Sequence, residues 1–319
     1  MDRSLLVTIL KCPLCGLDFV QRQDALLCGN DHSFTYQRNV IDFSTAEEIN
    51  DVQKRSQESF QVEWTKYYKN LGWSLDELID VMDSFLRCTK AMPNFFFDKI
   101  VVDAGCGNGR YINALNKLTT YPPKLIIGIE LSDAVYVAAE NCSTLDNVLF
   151  LKMDLNSLPK ILKKPIDYIY TIGVLHHTPN AERSFYNLAE CLKQDGFLSV
   201  YLYGKGNPIL FRVNNFLRNR FFQKWPHKFV YYLCVLIAIP SQVFRIKFLG
   251  PWMLDFIDRF IFISPDVHNM FDAYTAGYTS FHDRKEVEQW YHSAGFDCVV
   301  ESQLNHTDLY CIGRRIKAL

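Results

Sequence analysis

At 319 residues, with 49% apolar and 22% charged residues, the chain can bury a substantial core and has room for about two domains. A formal net charge of −1 argues against the overall basic field of a nucleic-acid-coating protein. Of ten cysteines, three cluster near the N-terminus and seven stand singly in apolar runs, which speaks against a disulfide framework and for free thiols in a reducing compartment.

The opening "MDRSLLVTILKCP" has no basic leader and no small-residue cleavage site, so it does not read as a signal peptide. The longest apolar run, Phe229–Pro240, is about half the ~20 residues that span a bilayer. A cytoplasmic protein is expected. Residues 1–44 are turn-rich. "CPLC" supplies Cys12 and Cys15, and "CGNDH" supplies Cys28 and His32 after a gap of twelve residues. Two tight knuckles with four ligands suit tetrahedral Zn2+, and so short a module has little core without metal. The alternative is a ribbon that has lost its metal and exposes His32.

Residues 45–98 read as a helical cap. Ser74 with Glu77 marks a helix start, and Phe60, Trp64 and Tyr67 share one helical face. From residue 99 the texture changes. The runs "KIVVDA", "KLIIGIE", "NVLFLKMD", "PIDYIYTIG" and "GFLSVYLY" read as strands, separated by helical segments. Alternation of this kind predicts an α/β fold, a parallel sheet with helices on both faces. "DCVVESQ" and "DLYCIGRRI" near the C-terminus read as a hairpin.

Three glycines, Gly105, Gly107 and Gly109, alternate just after the first of these strands. A strand followed by a glycine-rich turn and a helix is where a nucleoside sits in such sheets, although glycines also make ordinary tight turns. Glu130 ends the second strand and can accept hydrogen bonds from two ribose hydroxyls; Asp154 ends the third and can accept from an adenine amine. Each acid alone would read as a solvated strand end. The three strand ends together make a cofactor cradle. The spacing D-x-G-x-G-x-G differs from the G-x-G-x-x-G of dinucleotide sites.

With "VVDAGCGNGR", "GIELS", "MDLNSLP", "DYIYTIGVLHHTPN", "LKQDGFLSVYLY" and "HDRKEVEQWYHSAGF", residues 99–204 and 283–314 resemble class I S-adenosylmethionine-dependent methyltransferases of the type 11 kind. The resemblance implies a Rossmann-like seven-stranded sheet with an antiparallel last strand, formed by residues 99–204 and 264–319. It implies S-adenosylmethionine as cofactor. Asp103, Ala104, Gly105, Gly107, Gly109 and Arg110 would surround its methionine part. Glu130 and Leu131 would hold its ribose, and Asp154 and Leu155 its adenine. Ile172 and Gly173 would face the transferable methyl, and the leading helix would cover the cofactor, with a helix merely packed on the sheet as the equal alternative. His176 and His177 follow as candidate general bases, with local packing of one or both as the bland reading. No "NPPY" or "DPPY" is present, which argues against methylation of an exocyclic base amine.

The ribbon resembles that of bacterial 23S rRNA guanine-N1-methyltransferases, and also the small zinc proteins that activate tRNA methyltransferases. That makes rRNA or tRNA base methylation the rival activity. Against it, residues 1–44 hold Asp2, Asp18, Asp24, Asp31 and Asp42 beside their four basic residues, which is not a phosphate-binding footprint.

Residues 205–263 interrupt the pattern with basic, aromatic, helical sequence. No acid lies between Asp195 and Asp255, while eight basic residues do, leaving −9 for the rest of the chain. Arg218, Arg220 and Lys224 stand among Phe221, Phe222, Trp225 and Phe229. Such a segment reads as a lid over an anionic or lipid-linked acceptor, as peripheral contact at the inner face of a membrane, or as a packed hairpin with a solvated face. The wider arrangement also resembles methyltransferases found with saccharide biosynthesis, which would place Asp272, Tyr274, Tyr278 and His282 at an acceptor pocket. The expectation is methyl transfer to O or N of a small-molecule or glycan-like acceptor. The alternatives are an RNA base methyltransferase and a non-catalytic methyltransferase-like scaffold.

Overall fold

The computed structural model describes residues 4–22, 24–46, 50–67, 74–205, 215–216, 218–247, 267–302 and 308–316. First come helix α1 (Ser4–Ile9) and the short strands β1 (Phe19–Arg22), β2 (Ala25–Cys28), β3 (Ser33–Gln37) and β4 (Val40–Asp42). Helix α2 (Asp51–Val62) runs into a π-helical turn over Glu63–Tyr67, and α3 (Leu75–Thr89) follows. Ser74 and Glu77 form the expected capping box on α3, and Asn50 and Gln53 form another on α2.

Strands and helices then alternate: β5 (Ile100–Ala104), α4 (Arg110–Lys117), β6 (Leu125–Glu130), α5 (Ala134–Asn141), β7 (Val148–Lys152), α6 (Leu158–Ile161), β8 (Ile166–Ile172), α7 (Ala181–Glu190) and β9 (Leu192–Leu202). Helices α8 (His227–Lys247), α9 (Val267–Thr275) and α10 (Arg284–Ser293) lead to the hairpin of β10 (Phe296–Ser302) and β11 (Leu309–Arg315). Of the predicted insertion at 205–263, residues 206–214, 217 and 248–263 lie outside the described residues. Among the described residues, no helix is long and apolar enough to cross a membrane.

Among the described residues the sheet has eleven strands, not seven, in the order β1-β2-β3-β4-β7-β6-β5-β8-β9-β11-β10. Strands β4 to β9 within it run parallel, and the last strand, β11, is antiparallel to both its neighbours. The four additional strands, β1 to β4, come from the N-terminal segment that carries Cys12, Cys15 and Cys28. β4 pairs with β7, Val40 opposite Phe150 and Ile41 opposite Leu151. The physical reason is the edge: an uncovered β7, apolar on both faces, would be a template for aggregation. The N-terminal segment covers it and shares its core, with Leu10, Phe19, Phe34 and Phe43 packed in one cluster with Leu149, Leu151 and Leu158.

Successive strand residues alternate between two buried layers. Val102, Ile127, Leu149 and Leu198 face Phe185, Leu188 and Trp290; Val101, Ile126, Val148 and Tyr168 face Phe85, Ile112 and Ala138. The parallel crossovers bring the carboxyl ends of β5, β6, β7 and β8 to one edge of the sheet, where the candidate site lies.

Candidate functional site

A cavity of about 360 Å³ opens at these strand ends, and Gly105, Gly107, Arg110, Glu130, Leu131, Asp154, Leu155, Ile172 and Gly173 all line it. Gly105 has φ +96°, and a Cβ there would stand 2.3 Å from a Val174 methyl, so the turn admits glycine alone. Gly173, at φ +77°, has no atom within 4 Å of where a Cβ would be, so a side chain there would project into open space. Gly109 caps α4 and lies against Ala138 of α5, a helix-packing role away from the cavity wall. Asp103 and Ala104 are buried behind the wall. The Asp103 carboxylate accepts from the Tyr170 hydroxyl at 3.0 Å. Burial, with the Glu130 charge, outweighs that bond and the Arg110 charge and pushes its pKa up to about 7.

Glu130 is held on both oxygens. Oε1 accepts from the Ser132 N–H and hydroxyl at 2.9 and 2.7 Å, and Oε2 accepts from the Gly107 N–H at 3.2 Å. Burial raises its pKa against these bonds. Asp154 accepts from the backbone and side-chain amides of Asn156 through Oδ1 and from Gln53 through Oδ2, at 2.9, 2.8 and 3.2 Å. Gln53 belongs to α2, which lies across the cavity mouth. Gln57 donates to the Leu131 carbonyl at 2.8 Å, and the Arg110 guanidinium sits 5.1 Å from the Trp64 ring. Phe60 and Trp64 line the cavity as their shared face suggests, whereas Tyr67 turns away and stacks on Tyr231 at 3.6 Å.

The two histidines part company. His176 is fully buried, stacks on Tyr203 and receives the Tyr203 N–H at 3.4 Å through Nδ1; it is not on the cavity wall. Burial, with His177 and His282 nearby, drives its pKa well below the ordinary value, so it is a neutral packing element. His177 does line the cavity. Its Nδ1–H donates to the Tyr278 carbonyl at 3.0 Å, and its Nε2 is 3.5 Å from Asp272 Oδ2. Burial opposes the charge on His177, but Asp272 and the Tyr278 carbonyl outweigh it, and the pKa is raised. With Nδ1–H donating to a carbonyl and Nε2 facing the Asp272 carboxylate, the surroundings favour the protonated ring over the neutral one.

Asp272 lines the cavity and also accepts from the Tyr203 hydroxyl. Tyr274, Tyr278 and His282 do not join it. Tyr274 packs on Phe222, the Tyr278 hydroxyl donates to Asn50, and His282 bonds Ser280 and Glu286. Glu63, buried in the π-helical turn, is a wall residue that the sequence did not single out, because nothing local distinguishes it from other helical acids. Arg218, expected on an outward basic face, is instead 6% exposed and donates to the Ala276 and Gly277 carbonyls at 2.6 and 2.9 Å. Tight turns leave carbonyls that lack partners, and a guanidinium satisfies two at once.

At the other end of the molecule, the Cys12, Cys15, Cys28 and His32 ligand atoms lie within 4.8 Å of one another. His32 Nδ1 is 3.4 Å from the sulfurs of both Cys12 and Cys28, and Cys15 and Cys28 sulfurs are 3.5 Å apart.

Residues 98–243 match the family model of a methyltransferase domain. The chain is 31% identical over 126 residues to an uncharacterized protein of Synechococcus sp., a match spanning 38% of this chain and 29% of that protein. The chain thus covers less than a third of that relative's length. Among solved structures it is similar to magnesium protoporphyrin IX methyltransferase of Synechocystis PCC 6803 with bound S-adenosylmethionine, at 14% identity and a TM-score of 0.47 over 84% of this chain and 99% of that one. It is similar too to a DhpI–S-adenosylhomocysteine complex, at 12% identity and a TM-score of 0.49 over 84% and 98%.

Proposed function

We propose that this chain, which carries a methyltransferase domain over residues 98–243, binds S-adenosylmethionine in the strand-end cavity and methylates O or N of a small-molecule or glycan-like acceptor. The observation that carries the reading is Glu130, a carboxylate fixed from both sides at the end of β6, between the glycine turn and Asp154. When bound, the cofactor supplies an electrophilic methyl on a sulfonium. Glu130 holds the ribose hydroxyls, and Asp154 with the neighbouring backbone holds the adenine. The open space at Gly173 takes the methionine part, between the glycine turn and Arg110. Asp103 supports the glycine turn from behind.

Glu63, Glu130, Asp154 and Asp272 make the wall predominantly acidic, which suits a sulfonium and disfavours a polyanion such as RNA. Helix α2 lies over the cavity and excludes water. We assign proton acceptance to the Asp272 carboxylate, since it lines the cavity, His176 is off the wall, and Asp272 itself favours the protonated form of His177. His177 and Tyr203 position Asp272. We further propose that Cys12, Cys15, Cys28 and His32 hold a structural Zn2+. Their separations match those between tetrahedral ligands at Zn–S of about 2.3 Å and Zn–N of about 2.0 Å.

Calorimetry tests the cofactor half. The wild type binds S-adenosylmethionine, and Glu130→Gln weakens binding about 10- to 100-fold, as expected for charge-assisted bonds. No heat with the wild type ends the proposal. For the acceptor, extract from cells lacking the protein is incubated with methyl-labelled cofactor and the purified chain. Label is expected in the small-molecule fraction; label in RNA would reverse the acceptor assignment, and no turnover at all would leave a binding scaffold.

A further inference from the structure

Among the described residues, helix α8 has one partnered face and one bare one. Val230, Cys234 and Ala238, at successive turns, are buried against Met270 and Phe271 of α9. On the opposite side Phe229, Tyr232 and Leu236 follow at i, i+3 and i+7 and are 56%, 56% and 71% exposed. The apolar strip continues onto the preceding turn. The Trp225 ring lies 5.2 Å from Phe229 and 6.1 Å from Phe221, with Phe221 itself exposed. A cationic margin follows the strip: Arg220, Lys224 and Lys228 are all exposed, and Arg220 stands over the Phe221 ring. No acid occurs anywhere between Asp195 and Asp255. Arg218 is withdrawn from this margin into the fold.

We propose that this face docks on an anionic lipid bilayer. The occupant follows from charge and side-chain type. Every charged residue from Arg218 to Lys247 is basic, which favours an anionic surface over a protein partner of ordinary composition, whose charges are of both signs. Aromatic rings beside lysines and an arginine fit the headgroup level of a membrane, where rings bury their apolar bodies and the cations meet lipid phosphates. The strip is too short to span and has the geometry of a helix lying in the interface plane. Because α8 packs on α9, which presents Asp272 to the cavity, docking brings the acceptor end of the cavity close to the bilayer. The inference stands apart from the methyl-transfer reading and requires no catalysis.

Flotation of the full chain with phosphatidylglycerol–phosphatidylcholine vesicles tests it, with pure phosphatidylcholine as the neutral arm. The wild type is expected to rise with the anionic vesicles at low salt and to stay behind with the neutral ones. Neutralising Arg220, Lys224 and Lys228 together to Gln weakens partitioning about 100-fold, at about 1 kcal/mol per charge near the surface. Phe229→Ser with Leu236→Ser leaves a weaker association that physiological salt removes. No flotation, equal flotation with neutral vesicles, or indifference to the charge variant overturns the proposal. A concentration-dependent dimer that Phe229→Ser with Leu236→Ser dissolves, without lipid binding, assigns the face to a second copy and overturns it as well.

Discussion

His177 shows how far a residue's role depends on what stands opposite its two ring nitrogens. The Tyr278 carbonyl accepts from Nδ1–H and the Asp272 carboxylate stands beside Nε2, and together they raise the His177 pKa above the ordinary ~6.5 against its burial. A cation favoured in the folded state stabilises most fully below the unfolded pKa, and that stability is lost as pH rises through the folded one. Asp272→Asn removes the ion pair. The stability gap between wild type and Asp272→Asn is therefore expected to be greatest near pH 6, about 3 kcal/mol, and to shrink toward pH 9. Denaturant melts across that range check it, and a gap independent of pH would refute the raised His177 pKa. Asp103 titrates in both proteins and cancels in the difference. The doublet "HH" in the sequence marked two candidate bases, but not which one meets the cavity, because the deciding acid lies some ninety-five residues further along the chain.

At the scale of elements, the glycine turn and α2 form opposite walls of one site. A Cβ at Gly107 would stand 3.2 Å from the Trp64 ring, and the Arg110 guanidinium lies over that ring, so the π-helical turn after α2 closes directly on the glycine turn of the proposed cofactor site. If α2 retains the cofactor, Trp64→Ala should raise its dissociation rate about 10- to 100-fold, the loss of about 1.4–2.8 kcal/mol of buried contact, with little change in the association rate. Stopped-flow mixing distinguishes the two rates; equal effects on both would mean that the helix gates entry instead. The helix and its apolar face were readable from residue spacing. The π-helical turn was not, and with it Glu63 escaped notice. An inserted residue in a helical turn leaves no mark in a 3.6-residue pattern.

Over the whole molecule, the cysteine-bearing segment is part of the sheet. Beyond the β4–β7 pairing, Lys11 and Lys163 make backbone bonds to Ile161 and Ile9, each at 2.8 Å, and the Lys163 ammonium pairs with Asp18 at 2.7 Å. Removal of the proposed Zn2+ is thus expected to lower the stability of the entire chain. Chelation, or Cys12→Ser, should shift a single unfolding transition down by on the order of 10 °C, followed by calorimetry with zinc content measured alongside. A separate early transition for the first 44 residues, with the main one unmoved, would show that the segment is energetically independent.

Sequence alone determined what depends on local order and residue type: the alternating strands and helices, the glycine turn, the acids at Glu130 and Asp154, and the Cys/His knuckles. Each of these is written in spacings of a few residues. Tertiary structure alone decided what depends on distant partners: β4 sealing the edge of β7, Arg218 turned inward to two carbonyls, His177 set beside Asp272, and, among the described residues, one face of α8 left bare. Those outcomes depend on which surfaces meet, and pairing between residues far apart in the chain has no period from which it can be read.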